Sequence, residues 1–187
     1  MSLIRNPWLN GALIAAATLS FPAYARSPKP QEPYVIPSKP LKIGTVAPEF
    51  TATSLTGQKV SPKSFRGHVV LLDMWATWCG PCRASIPVLE SIQEKYYKQG
   101  LYVVGVSVDT PESSDGVVDF AVSHGMRYVV TKSPQSAIAI RKAYHADAIP
   151  AMYLLDKHGR IRWIGKGFGP SEGLRISMLL KRALAEK

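Results

Sequence analysis

The chain has 187 residues, 46% hydrophobic and 19% charged, which fits one globular domain with attachments. Its 15 prolines and 14 glycines are too few for a collagen-like or low-complexity chain, and its 2 cysteines exclude a multi-disulfide scaffold. Basic residues number 23 against 13 acidic ones, a net charge of +10.

The first 25 residues carry the pattern of an export signal: Arg5, an apolar stretch over 8–21, then the small-residue site Ala23-Tyr24-Ala25. The alternative is an uncleaved anchor, but the strongly apolar part, 12–19, is short for a bilayer span, and Asn10 and Pro22 interrupt its flanks. Cleavage after Ala25 would leave 22 basic and 13 acidic residues, a charge of +9. Export argues against nucleic acid as the partner of that charge. Anionic lipid head groups or acidic proteins suit it better, as does plain solubility. Arg160, Arg162 and Lys166 come nearest to a basic patch. Residues 26–40 hold five prolines (28, 30, 33, 37 and 40), which read as an extended, semi-rigid linker. Residues 41–187 are then the folded domain, long enough to bury a core.

Within that domain, 47–53 and 58–60 flank a turn at Leu55-Thr56-Gly57, a short hairpin. Residues 61–67 read as one helical turn ended by Gly67. The apolar run 69–74 is the pattern of a strand covered on both faces. A helix is predicted over 81–99 with Gly100 as its stop, burying Ile86, Leu89, Ile92 and Tyr96 on one stripe. A second buried strand over 101–108 completes a βαβ unit and hence a parallel pair. Thr110-Pro111 can start a helix that ends near Gly125, and 127–131 reads as a strand. Ser133-Pro134 starts another helix, burying Ala137, Ile140 and Tyr144. Strands over 151–156 and 160–164, joined by Lys157-His158-Gly159, pair antiparallel. A last helix from Ser171 turns Ile176, Leu179, Leu180 and Ala183 inward. The sum is an α/β fold, a mixed sheet with helices on both faces.

The chemistry concentrates at Trp78-Cys79-Gly80-Pro81-Cys82, where the first buried strand hands over to its helix. Cys79 falls at the helix N-terminus, where free N–H groups and the macrodipole favour a thiolate, the nucleophile of disulfide exchange. Two intervening residues let Cys82 resolve a mixed disulfide. A mere structural staple explains the pair less well, since closing about four residues yields only about 2 kcal/mol in the loop-entropy model. Half a zinc site is the other alternative. It lacks a second CxxC or HxxxH, and His68, His124, His145 and His158 are dispersed, so no metal and no cofactor beyond the dithiol is expected. Asp73 interrupts the apolar strand six positions before Cys79. If buried, it would have a raised pKa and could exchange a proton with Cys82; if it lay at the strand's wet end, it would be ordinary. A cis bond at Ile149-Pro150 would expose backbone for pairing with an extended substrate, whereas a trans proline would merely begin a strand. Trp75 and Trp78 suit core packing, but Trp78, beside the thiol, better suits shielding it or touching substrate.

Residues 73–82 resemble the active-site segment of the thioredoxin superfamily, including its buried acid and both tryptophans. Pro87 matches that family's helix-kinking proline, and Ile149-Pro150 its cis-proline site. Residues 44–50, 64–72, 104–109 and 154–161 narrow the likeness, which covers about 44–183, to the TlpA/ResA-like branch. The resemblance implies a thioredoxin fold with an N-terminal β-hairpin extension. It also implies a periplasmic, often membrane-tethered thiol–disulfide oxidoreductase. Cys79 would attack, Cys82 resolve and Asp73 manage the proton, while Trp78, Gly80, Pro81, Ile149 and Pro150 would meet substrate. Implied partners are disulfide-bearing exported proteins, such as apocytochromes c in cytochrome c biogenesis or copper-site assembly proteins, with a transmembrane thiol reductase as electron donor. Gly80-Pro81 implies a low potential, near the thioredoxin value of about −270 mV. Two positions depart from the branch: Ser85 stands where Glu is common, and Asp73 where an acid is often missing. Three other readings remain: a disulfide-forming oxidase, a thiol peroxidase (the N-terminal segment also resembles peroxiredoxins) and a Cu(I)-binding assembly factor using both sulfurs. Residues 165–169 do not form GxGxxG, so no dinucleotide site is expected.

Overall fold

The computed structural model describes residues 40–110, 115–132 and 134–186. The predicted export signal and nearly all of the predicted linker lie outside the described residues, as do Pro111 and Ser133 of the two predicted helix starts.

Seven strands form one sheet in the order β2-β1-β5-β4-β3-β6-β7. β1 (Ala52–Ser54) and β2 (Lys59–Val60) pair antiparallel, which is the predicted hairpin. A 3-10 turn over Pro62–Phe65 follows, capped by Ser61 and closed near Gly67 at φ 88°. β3 (Val69–Trp75) and β4 (Leu101–Ser107) are the centre of the sheet and run parallel. Every residue of β3 is buried, Asp73 included, as its nearly continuous apolar run predicted. Between them runs α1 (Gly80–Tyr96), and Ile86, Leu89, Ile92 and Tyr96 are all buried along it. Each such burial is worth about 1.5–3 kcal/mol. The helix tightens into a 3-10 turn over Tyr97–Gln99 and stops at Gly100, whose φ of 94° suits glycine.

α2 (Gly116–Ser123) leads to β5 (Val129–Lys132), parallel to β4. β5 starts two residues later than the predicted 127, for a visible reason. The Arg127 and Tyr128 N–H groups both donate to the Glu90 carboxylate on α1 rather than to a strand. α3 (Pro134–Ala143) precedes the antiparallel pair β6 (Ala151–Leu155) and β7 (Ile161–Lys166), and α4 (Glu172–Ala185) closes the domain.

The helices cover both faces. Tyr153 on β6 meets the ring of Tyr144 at the end of α3, while Trp163, paired with the neighbouring Leu154, lies under Arg175 of α4. Adjacent strand residues point oppositely, so α3 and α4 lie on opposite faces. Gly173 of α4 abuts Val88 of α1, which puts α1 with α4. Leu71 of β3 pairs with Leu154, so Leu71, Asp73 and Trp75 face the α1 side. Trp75 there meets Phe120 of α2, as expected for right-handed crossovers that progress in one direction along β3, β4 and β5.

Candidate active site

β3 and β4 run parallel, so their C-terminal ends coincide, and a helix begins there: the place where open α/β sheets put their chemistry. Cys79 is the N-cap of α1, and Gly80 and Pro81 fill its first turn, where a proline costs no hydrogen bond. The Cys79 Sγ accepts the Cys82 N–H at 3.2 Å, and the two sulfurs are joined as a disulfide with their Cα atoms 5.2 Å apart. Once the bond is reduced, the same N–H and the helix dipole stabilise a thiolate on Cys79. Cys79 keeps 5% of its surface against 1% for Cys82, so the more accessible cysteine is the one at the helix tip. Around it Trp78 is 61% exposed, and Gly80 and Pro81 are exposed as well. Trp75 is buried in the core.

Asp73 is 1% exposed and points to the face that α1 covers. Burial pushes its carboxyl from 3.8 up to about 7. The strand-end alternative is thereby set aside. The Ile149–Pro150 peptide is cis, and Pro150 is buried. Ala151 pairs with Met74, so Pro150, immediately before the start of β6, falls beside the point where β3 passes into the Cys79 loop. Its carbonyl accepts the Gly167 N–H. Ser85 is fully buried and donates to the Cys82 carbonyl at 2.8 Å, so it offers the dithiol no carboxylate.

One group in the site carried no role in the sequence reading. Asp109, 1% exposed, accepts from the Thr77 N–H, from the Thr77 hydroxyl at 2.7 Å and from the Ser107 hydroxyl at 2.8 Å. It clamps the turn that presents Trp78 and Cys79. The available signal was an acid directly following a buried strand.

Among the described residues no group of three or more His, Cys, Asp or Glu side chains is arranged to hold a metal, and no helix is long and apolar enough to cross a membrane. The predicted basic patch is partly neutralised: Arg162 pairs with Glu186 at 2.6 Å and with Asp156 at 3.7 Å.

A vicinal dithiol at a strand-to-helix junction, beside a buried acid and a proline-led strand, defines a thiol–disulfide oxidoreductase of the thioredoxin fold. The family model described as AhpC/TSA family matches residues 43–164, and the chain belongs to that family. Thiol-disulfide oxidoreductase ResA of Geobacillus kaustophilus is 32% identical over 125 residues, 67% of this chain and 70% of that protein. Thioredoxin-like protein YneN of Bacillus subtilis is 34% identical over 125 residues, 66% of this chain and 71% of its own length. Among solved structures, a Chlorobium tepidum protein assigned as the thiol:disulfide interchange protein DsbE superimposes with a TM-score of 0.72. It is 30% identical, and the match covers 78% of this chain and 99% of that one.

Proposed function

We propose that this protein is an exported reductant of protein disulfides, working through Cys79 and Cys82 with Asp73 as proton carrier. The observation that carries the reading is the Cys79 sulfur at the tip of α1, facing the helix N–H groups, with a buried acid on the same face of the sheet. The Cys79 thiolate attacks one sulfur of a substrate disulfide and releases the other as a thiolate, which takes a proton from solvent. Asp73, with a pKa near 7, then accepts the Cys82 proton. The Cys82 thiolate attacks the Cys79 sulfur, the Cys79–Cys82 disulfide forms, and the second substrate sulfur leaves as a thiolate that the Asp73 proton can neutralise.

Trp78, Gly80 and Pro81 form the rim against which substrate rests, and the Ile149-Pro150 segment offers backbone to an extended peptide. Gly80-Pro81 and its likeness to thioredoxin support the reducing direction. The 1–25 pattern supports export to the periplasm, with tethering if the segment is retained. The disulfide that forms is the redox group and needs no further cofactor. The family likeness supports apocytochromes c or copper-site assembly proteins as substrates and a transmembrane thiol reductase as donor. The positive charge supports weak contact with anionic membranes. The test is trapping in the native compartment. Cys82→Ala should accumulate mixed disulfides on Cys79 with exported proteins. If reduced Cys82→Ala captures no disulfide-bearing partner, the reading fails.

A further inference from the structure

α4 carries a face that the core does not explain. Ile176, Leu180 and Ala183 turn inward and are buried, yet Leu174 and Met178 on the far side are 73% and 62% exposed. Positions 174, 178, 181 and 185 recur every three or four residues, so they share one outward stripe. A helix that packs through one face ordinarily keeps the other face polar. Here the outward stripe sets a leucine and a methionine beside Lys181 and Arg182, both exposed. The two acids of the helix are occupied: Glu172 pairs with Arg175 at 3.7 Å, and Glu186 with Arg162 at 2.6 Å.

α1 extends the same surface. It lies beside α4 on one side of the sheet, with Gly173 against Val88. Arg83 and Lys95 on its outer side, and Lys98 in its closing turn, are exposed. Of its acids, Glu90 is taken up by the N–H groups of Arg127 and Tyr128, which leaves Glu94 as the exposed one. The outer face of this helix pair is therefore basic along its length and apolar at Leu174 and Met178. We propose that the α1–α4 face docks on an anionic lipid surface, with Leu174 and Met178 entering the head-group layer and the cations around them meeting lipid phosphates. The inference builds on the weak contact with anionic membranes in the proposed function and says which face makes it. A lipid surface supplies both chemistries in one layer, anionic phosphate over hydrocarbon, whereas an acidic protein segment would answer the cations alone. Cys79 caps α1 about 13 Å along its axis from Val88, so docking leaves the dithiol at the margin of the face, open to substrate.

The experiment adds the full chain, oxidised, to lipid nanodiscs that carry a gadolinium-chelating lipid, and reads the broadening of methyl signals by nuclear magnetic resonance. Discs of phosphatidylcholine alone are compared with discs holding about one third phosphatidylglycerol. Anionic discs should broaden the Met178 and Leu174 methyls far more than those of Ile138, which is 60% exposed on α3 across the sheet. Neutral discs, or high salt, should abolish the difference. Each cation removed weakens attraction to an anionic surface about fivefold, so Lys181→Gln with Arg182→Gln should dock about 25-fold more weakly and lose the broadening at Met178. Both side chains are exposed, so the pair of changes leaves the core intact. If no methyl responds to anionic discs, membrane contact itself fails and the docking fails with it. If Ile138 broadens and Met178 does not, membrane contact stands and this face is the wrong one. Broadening at Met178 that survives in neutral discs or in the double variant overturns the proposal, as does a response to polyglutamate that exceeds the response to lipid.

Discussion

Burial of Asp73 has a consequence for stability that can be measured without any substrate. Its carboxyl titrates at 3.8 in the unfolded chain and at about 7 in the fold, so the folded state binds the proton more tightly. A group raised in this way favours folding most below the unfolded value, and its contribution is lost as pH rises toward the folded one. From these two values the raised carboxyl destabilises the fold, relative to a pH below both, by about 2 kcal/mol at pH 5 and about 4 kcal/mol at pH 8. Asp73→Asn keeps the shape and removes the titration. Urea unfolding of the oxidised proteins at several pH values should show the variant gaining about 2–3 kcal/mol on the wild type between pH 5 and pH 8, with the gain levelling off above about pH 8. Keeping the disulfide closed removes the thiols from the titration. A stability difference that stays flat from pH 5 to pH 8 would refute the raised pKa, and with it the argument that Asp73 is poised to take the Cys82 proton.

Other expectations follow from the same geometry. Asp109→Asn weakens the clamp on Thr77; it should cost about 1–3 kcal/mol in unfolding and slow attack by Cys79 more than it slows resolution by Cys82, as read by single-turnover kinetics. Gly105→Ala places a methyl 3.0 Å from the Trp75 and Tyr128 rings and should destabilise the fold by about 1–3 kcal/mol; unchanged thermal unfolding would contradict the close packing there. Reduced Cys82→Ser, offered hydrogen peroxide with an external thiol, should turn over slowly; rapid peroxide consumption would favour the peroxidase reading.

Much of the fold was legible because its signals are local. The short apolar run of β3 and the four-residue stripe on α1 are patterns of residues close in sequence, and both were read from the chain. The dithiol was legible for the same reason: its residues, its proline and its place at a strand end are neighbours in sequence. What escaped depends on contacts between distant positions. Asp109 reaches Thr77 across 32 residues, and Glu90 reaches Arg127 across 37. The second of these moved a strand boundary, because a carboxylate on another element took N–H groups that the local pattern assigned to the sheet. Tyr128 looked like an ordinary strand residue; only the bare Gly105 between them brings its ring against Trp75.

The direction of electron flow is tested most directly by equilibrating the Cys79–Cys82 couple in a glutathione redox buffer and reading the oxidised fraction. A reductant of protein disulfides predicts a midpoint near the thioredoxin value of about −270 mV, whereas a midpoint near about −120 mV, that of a strong disulfide donor, would contradict it.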